Sequence, residues 1–441
     1  MKRIIALVLA IVLCTAMFAG CQKAPAPAPA PSESGSSSAP PVEEKKPVEL
    51  TVVTSYSADD GNRGNYENAY KAYEAASGNK VKDASGTSNE EWKAKIMADF
   101  ETGAEPDILF YFSGVDANKL VESGKVVSIE EIRKVYPDYA SNMKEEMMGK
   151  SPVDGKNYSV PVNGYWEGLF VNKKVLADCG VAVPGADYTW DQFMKDCKTI
   201  ADKGYTPIAC SLQEVPHYWF EFSTFNFGTV ANHATLPTSS SDEAGKAWVS
   251  GLNDIKALYE AGFFPKNTTT AGDAETFQLM ADNKAAFAID GSWKIGWFQE
   301  NAASVDDFTV TYVPAKNDRK ATDMIGGLSM GYYITKKAWD DPAKQAACVD
   351  FVKAMTTDDV VSTFGATAVT ALKNGTTAPA NADSLVTAAL AMTKGATGVA
   401  PAAQDLLNQA ARNAMFADVK NVVTGKTTAE ASIDATLAIK G

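Results

Sequence analysis

The stretch Gly103-Ala104-Glu105-Pro106-Asp107-Ile108-Leu109-Phe110-Tyr111-Phe112 decides how the rest of the chain is read. Five apolar residues run without alternation from Ile108 to Phe112, so a strand here must be covered on both faces, as in a sheet of parallel strands with helices on either side. Immediately upstream, Ser88 and Glu91 have the spacing of a capping box and open a helix whose inner face carries Trp92, Ile96 and Phe100, closed by Gly103. Further back, Val48 to Tyr56 is β-branched and apolar. Tyr66, Ala69, Tyr70 and Tyr73 then share a helical face that stops at Gly78, and a short strand is expected near Val81. Strand and helix alternate from Val48 onward.

The same alternation resumes beyond Pro161. Gly168 to Val171 predicts a strand, and Thr189 with Gln192 caps a helix that closes at Gly204. Ile208 to Cys210, Ala285 to Asp290 and Phe308 to Val313 predict further strands, with a helix marked by Trp248, Leu252, Ile255 and Tyr259 between them. Asp341-Pro342 supplies an N-cap and a first helical Pro, and after Asn381 the pattern is mostly helical, with Thr427 and Glu430 capping the last helix. The expected architecture is α/β: two lobes followed by a helical C-terminal part.

The N-terminus reads MKRIIALVLAIVLCTAMFAGC. Lys2 and Arg3 precede an apolar run from Ile4 to Phe18 that is shorter than the roughly 20 residues a membrane-crossing helix needs. Residues 1–20 therefore read as a secretory leader. Phe18-Ala19-Gly20-Cys21 resembles the bacterial lipobox, in which the cysteine is acylated and becomes the new N-terminus, so Cys21 is the expected lipid anchor. Residues 21–47, rich in Ala, Pro and Ser, form a tether that would reach about 80 Å as polyproline II.

Of 441 residues, 45% are hydrophobic and 22% charged, a globular composition. The formal charge is −13, and loss of Lys2 and Arg3 with the leader leaves 39 basic against 54 acidic residues, or −15. Such a field repels phosphate backbones, which excludes nucleic acid as a first partner. Only His217 and His233 occur, too few for multi-His metal sites. Cys179, Cys197, Cys210 and Cys348 remain in the folded part without a CxxC pair. Buried free thiols are expected, with one disulfide among Cys179, Cys197 and Cys210 as the alternative.

Catalytic motifs fail in context. Gly327-Leu328-Ser329-Met330-Gly331 matches G-x-S-x-G, but Met330 to Thr335 reads as a strand where a helix is required, and no His follows Ser329. Gly425-Lys426-Thr427 imitates the end of a Walker A loop, yet Lys420 stands where the leading Gly belongs. Zinc motifs are absent from the sequence. No catalytic residue, cofactor or metal is expected; a carboxylate pair drawn from Glu167, Glu214 and Asp290 leaves a surface glycosidase as the enzymatic alternative.

Aromatic residues carry more information. Tyr111 and Phe112 end the strand quoted above, Tyr165 and Trp166 follow Pro161-Val162-Asn163-Gly164, and Trp293 follows Asp290-Gly291-Ser292. Glu214, Pro216, His217, Tyr218 and Trp219 follow the strand ending near Cys210. Strand ends and the loops after them are where α/β folds place ligands. Flat rings beside carboxylates suit a polyol ring, with its C–H faces and hydroxyl edges.

In this order the features resemble the bacterial extracellular solute-binding proteins of sugar-type ABC importers (family 1), the group that includes maltose-binding protein. The markers are Gly103 through Ile108, Pro161 through Asn172-Lys173, Pro184 with Thr189-Trp190-Asp191-Gln192-Phe193, Ala286 through Trp293, and the Gly326-Gly327 turn. The resemblance implies a two-lobed periplasmic-binding-protein-like fold of type II with the ligand cleft between the lobes. Residues 48–162 and 318–367 would form lobe 1, and 163–317 and 368–441 lobe 2. By position it makes Trp293 the stacking residue, puts Tyr111 at the aromatic position after the P-D strand, and places Tyr56, Asp59 and Asp60 in the first ligand loop. Tyr165 stands where maltose-binding protein has a carboxylate, a departure from maltodextrin specificity. With Trp166, Glu214, His217, Tyr218, Trp219, Asp290 and Gly327, these are the expected ligand contacts. The implied function is a lipid-anchored, monomeric, non-enzymatic receptor on the extracytoplasmic face of the bacterial membrane. It would deliver a mono- or oligosaccharide to ABC permease subunits, or a non-sugar solute held by the same fold.

Overall fold

A computed structural model describes residues 46–440, apart from Ala58, Asp59, Asn163, Ala366 and Ala378. The expected leader, Cys21 and nearly all of the tether lie outside these residues, as does Asp59. The described strands are β1 (Glu49–Val53), β2 (Lys80–Asp83), β3 (Ile108–Phe112), β4 (Val160–Pro161), β5 (Tyr165–Asn172), β6 (Thr206–Ile208), β7 (Ala285–Gly291), β8 (Phe308–Thr311), β9 (Asp323–Gly327), β10 (Met330–Ile334) and β11 (Gly398–Ala400). They form two sheets.

The first sheet has the order β2-β1-β3-β10-β4, and the second β11-β9-β5-β7-β6 with β8 also on β5. Along β3, Ile108 and Phe110 pack on one face with Leu50, Val52, Tyr332 and Phe351, while Leu109 and Tyr111 pack on the other with Trp92 and Ile96. The second sheet repeats this: Leu169 and Phe287 face one core, Trp166, Phe170 and Ala288 the other. Burial of both faces explains the unbroken apolar runs.

Parallel pairing is found at β1–β2, β1–β3, β6–β7 and β9–β11. Elsewhere the expectation of parallel strands fails: β10 is antiparallel to β3 and β4, and β5 to β7, β8 and β9. β10 enters the first sheet only after the chain has built most of the second, and it arrives from the opposite direction. The chain passes between the sheets after β4, again at Leu328-Ser329 between β9 and β10, and a third time between β10 and β11, with Ala371 and Leu372 still packed in the first core. The second passage therefore falls later than the expected boundary at 317/318, because Asp323–Gly327 pairs with β5.

Helix ends follow cap chemistry, with small shifts from the expected residues. The helix Glu90–Thr102 is capped by Asn89, not Ser88: the Asn89 side chain accepts from the Trp92 N–H at 2.8 Å, and Gly103 closes the helix at φ 79°. Thr189 accepts from the Gln192 N–H as expected, but Thr428 instead of Thr427 caps Ala429–Leu437. Asp341 caps Pro342–Met355. The helical C-terminal part is interrupted by β11, a three-residue strand too short to show in the sequence pattern. Cys179, Cys197, Cys210 and Cys348 are buried free thiols.

Candidate functional site

Between the lobes lies a cleft of about 610 Å³, within the range of small-ligand sites. Its second-lobe wall is built on the end of β7. Trp293 follows after Ser292, and its ring lies over the Gly291 backbone: a Cβ added at Gly291 would come within 2.2 Å of the indole. Only glycine lets the ring fold down there. Tyr165, from the start of β5, lies 6.2 Å from Trp293 between ring centroids, and Tyr218 lies 6.0 Å away. His217 continues the surface, 4.2 Å from Tyr218 and stacked on Phe416 at 4.7 Å.

Carboxyl groups surround these rings. Asp290 is 2% exposed and lies 3.5 Å from Lys294, which also contacts Asp273 at 3.2 Å. Burial pushes the Asp290 carboxyl up, and Lys294 opposes the shift. Glu167, on the neighbouring strand, has burial and then Glu221, Asp405 and Asp290 all raising it well above the usual carboxylate range, and its Oε2 has no hydrogen-bond partner. Burial raises Asp405 to about 6 against the pull of Lys93 and Arg412, and Asp60 to about 6 against a hydrogen bond from the Asn62 N–H. Burial, aided by Lys93 and Arg412, lowers His217 to about 3, so the ring is neutral.

The first-lobe wall is different. Tyr56 is 4% exposed and stacks on Phe110 at 4.9 Å, so little more than an edge faces the cleft. Around it stand small polar residues, among them Ser55, Ser57, Asn62, Thr87 and Asn89.

Among the described residues the lobes touch on two sides, and Gln409 Nε2 also donates to the Glu90 carbonyl at 3.1 Å. Arg412, on the helix Gln409–Val423 of the second lobe, reaches Asp116 at 2.7 Å and Glu90 at 3.1 Å in the first, and Lys93 bridges the same two carboxylates at 3.0 Å each. On the other side, Gly61 meets Gly296: a Cβ on Gly61 would stand 3.0 Å from the Gly296 Cα and 2.8 Å from the Trp293 carbonyl.

Among the expected contacts, the cleft brings together Tyr56, Asp60, Tyr165, Glu214, His217, Tyr218, Asp290 and Trp293. Four others are corrected. Tyr111 is 1% exposed and packs on Trp92, because alternation along β3 gives the cleft Phe110 and Phe112. Trp166 alternates with Tyr165 in the same way and packs on Phe170. Trp219 stacks on Phe193 inside the second-lobe core. Gly327 pairs with Tyr165 in the sheet and does not line the cavity. Glu214 lines the rim, but its carboxylate accepts from the Asp273 N–H at the start of a helix.

The sequence reading missed Lys93, Lys294, Asp405, Arg412 and Phe416 as lining residues. Lys294 follows Trp293 directly, so adjacency was a usable signal for it; Lys93 follows Trp92, a core residue, and carried none. Asp405, Arg412 and Phe416 come from a remote part of the chain and carried no local mark. Among the described residues, no group of His, Cys, Asp or Glu is placed to hold a metal ion, and no helix is long and apolar enough to cross a membrane.

The family model for bacterial extracellular solute-binding proteins matches residues 60–362. A Multiple sugar-binding protein of Streptococcus mutans serotype c is 26% identical over 295 residues, covering 60% of this chain and 67% of that protein. The Melibiose/raffinose/stachyose-binding protein MelE of Bacillus subtilis is 25% identical over 232 residues, 49% of this chain and 50% of the relative. The chain thus aligns with about two thirds and about half the length of these relatives. Among solved structures, a Chitin oligosaccharide binding protein superimposes with a TM-score of 0.76 at 22% identity, covering 89% of this chain and 97% of that one.

Proposed function

The chain belongs to the bacterial extracellular solute-binding proteins, and from that premise we propose that it captures an extracellular carbohydrate and delivers it to the permease of an ABC importer. The observation that carries the reading is the second-lobe wall, where Trp293 folded over Gly291 and flanked by Tyr165 and Tyr218 offers flat apolar surface beside buried carboxyls. A sugar ring lays its C–H face on such rings, while its hydroxyls bond the carboxyl edges. Relatives named for sugar binding support the same class of ligand.

The proposed cycle is capture on the second lobe followed by closure of residues 48–162 and 318–367 over it, with the second boundary moved to Leu328-Ser329. Enclosure strips water from every hydroxyl, and each one left unmatched costs about 1–3 kcal/mol, which makes hydrogen-bond geometry the source of selectivity. Closure also creates a lobe-spanning surface that a permease can read. Cys21, acylated, would hold the receptor at the membrane through the tether of residues 21–47, so the whole assembly works on the extracytoplasmic face as a monomer.

The glycosidase alternative has less support. Of its carboxyls, Asp290 is paired with Lys294 and Glu214 is committed to the Asp273 N–H, which leaves Glu167 without an engaged partner in acid chemistry. A thermal-shift screen against a panel of mono- and oligosaccharides tests the proposal. Ligand at 100 Kd adds about 2.7 kcal/mol to stability. A stabilised protein with unchanged sugar is the expected result; no response to any saccharide, or release of cleaved sugar, would refute the reading.

A further inference from the structure

We propose that the cleft admits only saccharides free of anionic groups, neutral or amino-bearing, and that Asp60 and Asp405 enforce this rule; the inference rests on the carbohydrate reading above. The cationic side chains at the cavity wall among the described residues are Lys93, Lys294 and Arg412. Each already faces protein carboxylates. Lys294 lies between Asp273 and Asp290, and Lys93 and Arg412 share Glu90 and Asp116. Arg412 keeps one nitrogen, Nη1, without a hydrogen-bond partner, but that atom is shut off from solvent and its charge is answered by two carboxylates. His217 adds no positive charge, since burial holds it neutral.

The acids are in the opposite position. Among the described residues no Lys, Arg or His nitrogen forms an ion pair with Asp60, Glu167 or Asp405, yet all three line the cavity. A ligand carboxylate, sulfate or phosphate would enter a space where Asp60 and Asp405 hold like charge without an ion-pair partner and no free cation meets it, and repulsion there is far stronger than in water; Glu167, pushed well above the usual carboxylate range, does not add to these charges. A hydroxyl meets no such penalty, because it can donate to an ionised carboxylate or accept from a protonated one. An ammonium group would be drawn to Asp60 and Asp405.

The test uses the mature protein and a neutral saccharide that binds in the screen, together with two analogues oxidised at one C6: the carboxylate, and the isosteric uncharged amide. Calorimetry at pH 7.5 should show the amide within about tenfold of the parent and the carboxylate at least 100-fold weaker than the amide. Where the C6 position tolerates neither, the aldonate and aldonamide of the reducing end form the deciding pair. Carboxylate and amide binding within threefold of each other overturns the charge rule while leaving the carbohydrate reading intact. Failure of every parent saccharide to bind overturns that reading instead. In the double variant Asp60→Asn/Asp405→Asn the gap should narrow at least tenfold; an unchanged gap overturns the assignment to these carboxyls.

Discussion

The two walls of the cleft use their aromatic residues in opposite ways. In the first lobe Tyr56, Tyr66, Phe110 and Tyr332 pack on one another, with centroids 4.9 to 5.4 Å apart, and show the cleft little beyond edges and small polar groups. In the second lobe Trp293, Tyr165, Tyr218, His217 and Phe416 form a continuous surface that stands in the cavity. In the proposed cycle capture therefore falls to the second wall and enclosure to the first. The contacts that join them include Arg412 with Glu90 and Asp116, Gln409 with the Glu90 carbonyl, and Gly61 with Gly296.

The largest expected effect comes from breaking the bridge between the walls. Arg412→Ala leaves Asp116 and Glu90 with Lys93 alone in a buried setting, and removing one partner of a buried pair costs about 3 kcal/mol of stability. Urea denaturation with saturating sugar, which holds the lobes together, should show it, with Arg412→Lys recovering part; a loss under about 1 kcal/mol would class the network with exposed pairs.

Trp293→Ala should next remove about 2 kcal/mol of sugar binding, from the apolar area such a ring covers, with the fold intact. Tyr111→Ala is its counterpart on the other wall: it should cost stability through a core cavity while sugar affinity per folded molecule is unchanged. If the two variants behave alike, the division of labour between the walls fails.

Gly61→Ala should cost about 1 kcal/mol of affinity without lowering the melting temperature of the free protein, because its Cβ collides with Gly296 and Trp293 only when the lobes touch. Affinity unchanged in calorimetry would show that the seam does not form on binding.

Asp405→Asn should stabilise the protein by about 1 kcal/mol at pH 8, a figure trimmed because Asp405 keeps some solvent contact. The folded carboxyl, held near 6, is raised above its usual 3.8, so ionising it costs stability once the pH exceeds 6. The cost shrinks as pH falls from 6 toward 4 and is gone below the unfolded value. The variant's advantage in melting temperature should follow that slope; an advantage constant with pH would assign it to packing.

Much of the fold was legible because both sheets are covered on both faces, so Ile108–Phe112 and Ala285–Gly291 announce themselves as apolar runs. Direction was not legible. Whether β10 runs parallel or antiparallel depends on the route by which the chain returns, which apolar patterning does not record. In the site, Trp293 could be read from the turn before it, whereas Tyr111 and Trp166 were misplaced by a single residue of strand alternation. Arg412 and Asp405 are brought to the cleft by C-terminal packing against the helix Glu243–Glu260 and Glu221, which no local sequence pattern encodes.

The central claim, that a saccharide held on the second wall is enclosed by the first, is tested most directly by small-angle X-ray scattering of residues 47–441 with and without a sugar from the screen. At saturation the radius of gyration should fall toward the value calculated for the present structure, in which the lobes touch at Gly61 and Gly296. A radius of gyration that stays the same with the sugar fully bound would contradict it.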